Sequence, residues 1–600
     1  MCGIIGYTGY GEALPRVIKG LYALEYRGYD SCGASFIDGK EMKIVKTRGR
    51  VSDLEKLLEG EKEGICVGIG HTRWATHGSV SQINAHPHMV GSACIVHNGI
   101  IENYAEIKAE LLSLGYTLKS ETDTEVLCGL IDYYFKKIQS PHKAIKEALS
   151  RVRGSYALGI MFKGVDGIFA VRRDSPLVLA RGNDGYYLAS DLTALIPFTR
   201  DYYLIKEGEV AEINRFGIKV EGNEITGWKR TELTYEGAQK NGYDHFMLKE
   251  IYEQNEAIKK TLSPRIKDAL PCLDGEALKL LSNVGSIDIV ACGSAMHAGL
   301  VGKRAIEALS KVQVGVYVAS EYRYSPPLKR ENSLCLIISQ SGETADSLAS
   351  LRYARSIGQK TLAIVNVPES TIAREADYTL YTYAGPEIAV ATTKGYSTQL
   401  ALLYLLAICL GKENGSLTEG KVSELTTQLL NSGRAIDSVL EKREEIKKIA
   451  KRVYEKEDIF FIGRGVDYDL CQEGSLKLKE ISYIHSEAYP AGELKHGTIS
   501  LIEKGTPVIA IATDAKLLEK TENNLGEVKS RGALTILICQ KGCGYNEGLT
   551  DLVLEIEADS PIESLFGVLL TTQLLAYEVS LLRGCDIDKP RNLAKSVTVE

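Results

Sequence analysis

Cys2 directly follows the initiator Met1, and its type and position suit nucleophilic chemistry. A small second residue allows the initiator methionine to be removed, which would leave one residue with both a free amine and a thiol. An α-amino group has a pKa of about 7.7 to 8, so near neutral pH it can accept the thiol proton. The β-type run from Ile4 to Tyr7 predicts a strand that holds this terminus in place. The sequence therefore predicts a cysteine nucleophile that depends on the loss of Met1.

A nucleophile that attacks an acyl group needs hydrogen-bond donors where the oxyanion develops. Asn98 and Gly99 follow a β-type run and offer a side-chain amide and a backbone N–H, although the same residues also suit a hairpin turn. Arg73 and Asp123 stand at strand or helix edges and could bind the carboxylate and the ammonium of a free amino acid. These residues would suit attack on an acyl group and binding of a free amino acid.

A second set of polar residues lies in the later part of the chain. Ser-Gln-Ser-Gly-Glu-Thr at 339–344 follows an apolar run and opens a helical segment. Hydroxyls and N–H groups at a helix N-terminus after a parallel strand make a phosphate cradle, and the alternative is an ordinary N-cap. Ala-Cys-Gly-Ser-Ala at 291–295 ends the preceding strand and should face the same crevice. Lys477 and Glu480 share one helical face, where spacing alone favours an exposed ion pair.

Composition limits the classes of function. A chain of 600 residues predicts three or four folded units, and the net charge of −7 is spread along it, which disfavours a nucleic-acid face or a basic membrane patch. The longest apolar run is too short to span a bilayer and no secretory signal is present, so we predict a cytoplasmic protein. The 13 scattered cysteines do not suggest disulfides. The histidines between His71 and His97 lack the spacing of metal ligands, so we predict no metal.

Two kinds of periodicity divide the chain. Residues 1–240 contain short strand-like runs and two helical stretches, 104–114 and 124–138, which predict a layered, mostly antiparallel sheet region. Beyond residue 280, apolar β runs alternate with helices, as in parallel sheets flanked by helices. Four strands and one apolar helix recur in order at a spacing of about 170 residues, which predicts an internal duplication. The charged helical stretch 422–454 would connect the copies.

Several motifs together identify a family. The segments Cys-Gly-Ile-Ile-Gly-Tyr at 2–7, Arg-Trp-Ala-Thr-His-Gly at 73–78 and His-Asn-Gly-Ile at 97–100 closely resemble the N-terminal-nucleophile glutamine amidotransferases. The resemblance implies an α+β four-layer sandwich of the N-terminal-nucleophile hydrolase type for residues 1–240. It assigns Cys2 as nucleophile with its own amine as base, and Asn98 with Gly99 as oxyanion hole. It implies that four residues bind glutamine: Arg73, Thr76, His77 and Asp123. It places Trp74 on the path of the ammonia.

The later part of the chain resembles sugar isomerase modules. The resemblance implies two α/β parallel-sheet modules flanked by helices, at 281–421 and 455–589, with the connector 422–454 between them. A linker and entry helix at 241–280 would precede them, and a tail at 590–600 would close the sugar site. The residues that would bind the sugar phosphate are Ser294, Ser339, Gln340, Ser341, Thr344 and Val390.

Four further residues carry catalytic roles under the same resemblance. Glu480 would move a proton between sugar carbons 1 and 2, and Lys477 would assist it. His496 would reach in from a neighbouring subunit to open the sugar ring, and Lys595 would form a Schiff base with the ketose. The implied activity is transfer of ammonia from glutamine to fructose 6-phosphate with isomerisation to glucosamine 6-phosphate. The implied protein is a homodimer without metal or organic cofactor and without nucleic-acid or membrane partners.

Two departures from the family pattern are visible. The family commonly has Gly-Thr-Ser where this chain has Gly293, Ser294 and Ala295, which removes one hydroxyl from the sugar site. The second copy has Ala-Thr-Asp-Ala at 512–515 in place of the serine-rich loop, which predicts that it has lost its phosphate site. The sequence leaves two alternatives open: an amidotransferase or deglycase that acts on another amino-sugar phosphate, and a sugar-phosphate sensor without turnover.

Overall fold

Antiparallel sheets build the first part of the chain and parallel sheets the second, in a computed structural model that describes residues 2–61, 64–75, 78–234, 237 and 239–598. The first compact unit is Met1–Gln239 with Ala594–Glu600, and the second is Lys240–Leu593. The predictions made for Met1, Thr76 and His77 lie outside the described residues.

Two antiparallel sheets form the first unit. Their strands are β1 (Gly3–Gly9), β2 (Ser31–Asp38), β3 (Glu41–Arg48), β4 (Val67–Arg73), β5 (His88–Val90), β6 (Ala93–Ile101), β7 (Gly154–Phe162), β8 (Ile168–Arg173), β9 (Val178–Arg181), β10 (Gly185–Ala189), β11 (Asp201–Leu204), β12 (Val210–Asn214), β13 (Gly217–Val220), β14 (Asn223–Glu224) and β15 (Lys229–Arg230). The orders are β15-β11-β9-β10-β1-β4-β2-β3 and β14-β13-β12-β8-β7-β6-β5. The predicted sheet-rich first region is confirmed.

Five α-helices accompany these sheets where the sequence predicted two. They are α1 (Ala13–Leu24), α2 (Val51–Leu58), α3 (Tyr104–Ser113), α4 (Asp123–Ile138) and α5 (Pro141–Ser150). The predicted pair corresponds to α3 and α4, and α4 begins at Asp123 because Thr122 accepts a hydrogen bond from the N–H of Glu125. The missed helix α1 buries Val17 and Leu21 on one face, so its helical period was present in the sequence.

Three apolar clusters hold the first unit together. One includes Ile5 of β1 and Val17 of α1. A second includes Ile69 of one sheet and Val96 of the other, and a third includes Ile131 of α4 beside strands of the seven-stranded sheet. Apolar side chains therefore lie on both faces of each sheet.

Gly3 fixes the start of β1. A Cβ atom added at Gly3 would lie 2.6 Å from Thr72 Oγ1 and 2.7 Å from Leu24 Cβ. The absence of a side chain lets β1 pack closely against β4 and α1. Because β1 is hydrogen-bonded to β4 and β10 on its two sides, the residue that precedes it, Cys2, is held at the end of a central strand.

Two five-stranded parallel sheets dominate the second unit. Its strands are β16 (Ile266–Lys267), β17 (Leu270–Pro271), β18 (Ser286–Ala291), β19 (Gln313–Val318), β20 (Ser333–Ser339), β21 (Lys360–Val365), β22 (Tyr378–Tyr381), β23 (Asp458–Gly463), β24 (His485–Pro490), β25 (Pro507–Ala512), β26 (Leu534–Gln540) and β27 (Leu552–Ile556). The two parallel sheets have the orders β19-β18-β20-β21-β22 and β24-β23-β25-β26-β27. The same order in both confirms the prediction of two parallel α/β modules.

The helices of the second unit cover these sheets and connect them. They are α6 (Phe246–Tyr252), α7 (Gln254–Leu262), α8 (Gly275–Leu281), α9 (Gly293–Ser310), α10 (Ala319–Tyr322), α11 (Ala345–Ser356), α12 (Thr371–Glu375), α13 (Lys394–Glu413), α14 (Glu419–Leu430), α15 (Gly433–Glu441), α16 (Arg443–Val453), α17 (Val466–Ser482), α18 (Ala515–Lys529) and α19 (Pro561–Leu582). Within the described residues, α19 is the one helix long and apolar enough to cross a membrane, and 89% of its most apolar window is buried. It is a core helix of the second unit.

Candidate functional site

The Cys2 thiol lies against the backbone of Trp74. The Trp74 N–H donates a hydrogen bond to Sγ over 3.2 Å, and the thiol can donate to the Trp74 carbonyl over 3.5 Å. Trp74 follows β4 directly, so the pairing of β1 with β4 creates this contact. The thiol is thus held in place by backbone groups, and Cys2 remains partly exposed.

Asn98 and Gly99 lie beside this thiol on β6. The Asn98 Nδ2 donates to the Cys2 carbonyl over 3.0 Å, which leaves a second N–H on the same nitrogen. Gly99 has a φ of +133°, and a Cβ there would lie 2.1 Å from the Ser155 carbonyl oxygen, so no other residue fits. The structure brings Asn98 next to Cys2, as predicted for an oxyanion hole.

Two charged residues flank the same region. Arg73 is 3% exposed, and its guanidinium donates to the carbonyls of Gly78 and Ser79 over 3.4 Å. Burial lowers the pKa of Arg73, whereas the nearby Cys2 and Asp123 act in the opposite direction. Asp123 is buried at the start of α4 and accepts a hydrogen bond from a backbone N–H of β6 over 2.8 Å. The structure thus brings Arg73, Cys2 and Asp123 into one electrostatic neighbourhood.

The histidines of this region form a buried stack. The rings of His71 and His86 have centroids 4.2 Å apart, and those of His86 and His88 4.9 Å apart. Burial lowers the pKa of His71 to about 3 and lowers the pKa of His86 and of His88 well below the usual value. Across the described part of the chain, no group of three or more His, Cys, Asp or Glu side chains is arranged to hold a metal ion.

Five of the six residues predicted to bind the sugar phosphate, all but Val390, lie at the carboxyl ends of two adjacent strands, β18 and β20. After β20, the Ser339 and Thr344 hydroxyls are 3.0 Å apart, and Ser339 Oγ accepts the N–H of Gly342 over 3.1 Å. Thr344 is the N-cap residue of α11, and its side chain makes no capping hydrogen bond. The loop is therefore lined with hydroxyls at a helix N-terminus, which is the arrangement that binds phosphate.

Two other predicted sugar ligands, Gln340 and Ser341, belong to the same loop, and Val390 precedes α13. Ser341 Oγ accepts the Glu343 N–H over 3.2 Å, and Gln340 packs against the start of α13. Val390 is buried and is held by a backbone hydrogen bond to the Asp588 carbonyl over 3.0 Å.

The second copy differs at the equivalent loop. Thr513 Oγ1 donates to the buried carboxylate of Asp467 over 2.6 Å, and Asp514 caps α18 with its own carboxylate. Two carboxylates at this helix N-terminus disfavour an anion. This arrangement fits the prediction that the second module lacks a phosphate site.

Lys477 and Glu480 are not an exposed ion pair, which corrects the reading from spacing alone. Lys477 is 1% exposed on α17, and its Nζ lies 2.5 Å from Glu480 Oε2 and 3.5 Å from Glu473 Oε1. Burial lowers the pKa of Lys477, but the two carboxylates outweigh it and the net shift is upward. Burial raises the pKa of Glu473, but Lys477 and His297 outweigh that effect and the net shift is downward. Lys477 is therefore a buried cation between two carboxylates.

Glu473 is a site residue that the sequence reading missed. It accepts hydrogen bonds from Ser294 Oγ over 2.8 Å and pairs with His297 Nδ1 over 2.9 Å, so it joins α17 to the first residues of α9. Its position four residues before Lys477 puts it on the same helical face, and that spacing could have revealed it. Ala295, which follows Ser294 in α9, packs against the apolar core of the second unit.

Two further predicted catalytic residues, His496 and Lys595, belong to other segments of the chain. His496 ends an exposed 3₁₀ turn, Glu493–His496, and no hydrogen bond or ion pair of the described residues joins it to Lys477 or Glu480. Lys595 lies in the terminal segment that belongs to the first unit, so the geometry of the second unit does not include it.

Comparisons with known proteins define the class and then the family. A family described as "SIS domain" matches residues 280–409 and 452–583, and one described as "Glutamine amidotransferase domain" matches residues 71–197. The class is thus a glutamine amidotransferase joined to two SIS domains. Relatives named glutamine--fructose-6-phosphate aminotransferase [isomerizing] include those of Clostridium tetani, 48% identical, and Thermus thermophilus, 42% identical, each over 100% of both chains. The chain belongs to the family of isomerizing glutamine--fructose-6-phosphate aminotransferases.

A solved structure supports the assignment of the second unit. It is the C-terminal domain of glucosamine-fructose-6-phosphate aminotransferase from Francisella tularensis, which is 41% identical to this chain. The match covers 59% of this chain and 99% of that one, with a TM-score of 0.57.

Proposed function

We propose that the chain transfers the amide nitrogen of glutamine to fructose 6-phosphate and isomerises the product, giving glucosamine 6-phosphate and glutamate. One observation carries the proposal: a single chain contains an N-terminal thiol with adjacent donors and a buried carboxylate-lysine-carboxylate row on α17. The first arrangement suits attack on an amide, and the second suits proton transfer on a sugar. Membership of the family supports the same reaction.

In the first half-reaction, Cys2 attacks the glutamine amide. After loss of Met1 the α-amino group takes the thiol proton, and the thiolate adds to the amide carbon. Asn98 and Gly99 donate to the oxyanion, which then collapses to a thioester and expels ammonia. Water hydrolyses the thioester to glutamate. Arg73 binds the substrate carboxylate and Asp123 its ammonium, in line with their buried positions in the neighbourhood of Cys2. We assign Thr76 and His77 to glutamine binding from the family resemblance.

In the second half-reaction, the hydroxyl-rich loop after β20 and Ser294 after β18 hold the sugar phosphate. The residues of the loop that bind it are Ser339, Gln340, Ser341 and Thr344. Val390 borders the sugar. Free ammonia in water would be protonated and lost, so it must travel to the sugar along a closed path. We place this path near Trp74.

Proton transfer then completes the reaction. His496 opens the ring, Lys595 forms a Schiff base at carbon 2, and ammonia displaces this lysine. Glu480 moves a proton from carbon 1 to carbon 2, and the buried Lys477, which is paired with it, assists this transfer. The row of charges around Lys477 supports these last two roles.

The same proposal covers fold, domains and assembly. We assign the first domain, residues 1–240, to the four-layer sandwich of N-terminal-nucleophile hydrolases, supported by its three apolar clusters. The two sugar modules span 281–421 and 455–589. The exposure of His496 supports its use by a neighbouring copy in a homodimer. We place the protein in the cytoplasm, where glutamine and sugar phosphates are available.

The deciding experiment is a product assay with both substrates. Wild-type protein incubated with glutamine and fructose 6-phosphate should form glucosamine 6-phosphate and glutamate in equal amounts, and omission of glutamine should abolish the amino sugar. Cys2→Ala should abolish glutamine-dependent synthesis and leave binding of fructose 6-phosphate unchanged. Formation of another amino sugar, or binding without turnover, would refute the proposal.

A further inference from the structure

His71 lies fully buried behind the proposed oxyanion hole. It stands on β4, and its Nε2 lies 3.0 Å from the His97 carbonyl oxygen and 3.1 Å from Asn98 Oδ1. A carbonyl oxygen can only accept a hydrogen bond, so Nε2 must carry a proton. The same N–H therefore donates to Asn98 Oδ1 as well.

The other nitrogen of the His71 ring, Nδ1, is buried without a hydrogen bond among the described residues. The ring face stacks on His86. Burial keeps this imidazole neutral at working pH, because it lowers the pKa of His71 to about 3. The ring thus has a single N–H, and its position is fixed by contacts on the side of Asn98.

This donor determines which way the Asn98 amide faces. Oδ1 accepts from His71, and Nδ2 donates to the Cys2 carbonyl over 3.0 Å. A flipped amide would set Nδ2 against the His71 N–H and Oδ1 against the Cys2 carbonyl, which gives two repulsive contacts. With the observed orientation, the second Nδ2 hydrogen remains available on the side of Cys2.

We propose that His71 is a positioning residue for amide hydrolysis: its Nε2–H holds the Asn98 carboxamide so that Nδ2 faces the oxyanion formed at Cys2. This inference rests on the proposed role of Asn98. The hydrogen bonds of His71 go to the His97 carbonyl and to Asn98, so we expect it to act through Asn98. Loss of one oxyanion-hole donor costs about 10²- to 10³-fold in kcat, and a donor that is present but unfixed should cost less, about 10- to 100-fold.

The test compares side chains of equal length with and without a donor. In the full-length enzyme, His71→Gln retains an N–H near the position of Nε2, whereas His71→Met does not. His71→Asn is the further variant, because its amide reaches only the position of Nδ1. Met1 removal is verified by intact mass, and the fluorescence of Trp74 and Trp228 during heating verifies folding of the first unit.

Two reactions of the same thiol are then measured. Glutamine hydrolysis forms an oxyanion, whereas alkylation of Cys2 by iodoacetamide breaks a carbon–iodine bond and forms none. His71→Met and His71→Asn should lower kcat for hydrolysis about 10- to 100-fold, with KM changed less than about 3-fold and the alkylation rate changed less than about 2-fold. His71→Gln should restore kcat to within about 5-fold of wild type. If His71→Met does not fold, the comparison of His71→Asn with His71→Gln decides.

The outcomes separate this inference from the function on which it rests. The positioning role is refuted, and the proposed function stands, if Asn98→Ala lowers kcat for glutamine hydrolysis but the His71 variants do not. The same holds if the His71 variants lower the rates of hydrolysis and of alkylation equally. Equal loss in His71→Gln and His71→Asn would also refute it. If Cys2→Ala and Asn98→Ala both retain hydrolysis, the proposed function itself is wrong.

Discussion

Replacement of Lys477 by methionine should destabilise the second unit. The side chains have similar length, so the change removes the charge with little change in volume. Lys477 is 1% exposed and is the shared cation of Glu473 and Glu480, whose side chains are 1% and 19% exposed. Its loss leaves two neighbouring carboxylates without their counter-charge in a buried site.

The size of the effect follows from these contacts. Removal of one partner of a buried ion pair costs about 3 to 5 kcal/mol. Glu473 keeps its contacts with Ser294 and His297, and Glu480 reaches water, so we expect the lower end of the range, about 3 kcal/mol. The second unit has about 350 residues, and an unfolding entropy of about 2.1 cal/mol/K per residue gives about 1.3 °C of Tm per kcal/mol, so Tm should decrease by about 4 °C.

Calorimetry of the full-length protein measures this decrease. Both tryptophans, Trp74 and Trp228, lie in the first unit, so their fluorescence transition should not move. Lys479→Met, exposed on the same helix, is the matched control and should change stability by less than about 0.5 kcal/mol.

A double variant tests the cause. Glu473→Gln added to Lys477→Met removes one uncompensated charge and should recover part of the lost stability. If the second unit has the same Tm in Lys477→Met as in Lys479→Met, the argument from the buried ion pair is contradicted. No recovery in the double variant would show that the loss does not come from the unpaired carboxylate of Glu473.

Three further predictions concern the two reactions and pH. Gly99→Ala should lower glutamine hydrolysis at least about 100-fold and destabilise the first unit, because its Cβ meets the Ser155 carbonyl at 2.1 Å; wild-type kinetics and melting would contradict this. Glu480→Gln should abolish glucosamine 6-phosphate formation and retain glutamine hydrolysis, measured as glutamate release. Because burial lowers the pKa of His71 to about 3, the unfolded chain binds the extra proton below about pH 6.5. The contribution of His71 to the stability of the first unit should therefore be complete above about pH 6.5 and fall towards about pH 3 by about 1.4 kcal/mol per pH unit. The buried His86 and His88 should steepen the loss in the same direction, measured by urea unfolding with tryptophan fluorescence.

Local patterns predicted much of the fold. The strand and helix runs beyond residue 280 predicted both parallel α/β modules, since buried parallel strands are continuous apolar runs that stand out in a sequence. The strands β19 and β24 were missed, because each is an edge strand with several polar or exposed residues. The helices α1, α2 and α5 were missed although α1 has a clear apolar face.

The sequence by itself determined which residues could do the chemistry: an N-terminal thiol, an Asn-Gly pair, and a hydroxyl-rich loop before a helix. These features are local, so neighbouring residues suffice to reveal them. Only the tertiary structure decided their surroundings. The burial of Lys477 depends on α17 packing against α9, with Glu473 and Ser294 179 residues apart. The contact of His71 with Asn98 depends on the packing of two sheets. Long-range packing decides burial and hydrogen-bond partners, and these in turn decide charge state and orientation.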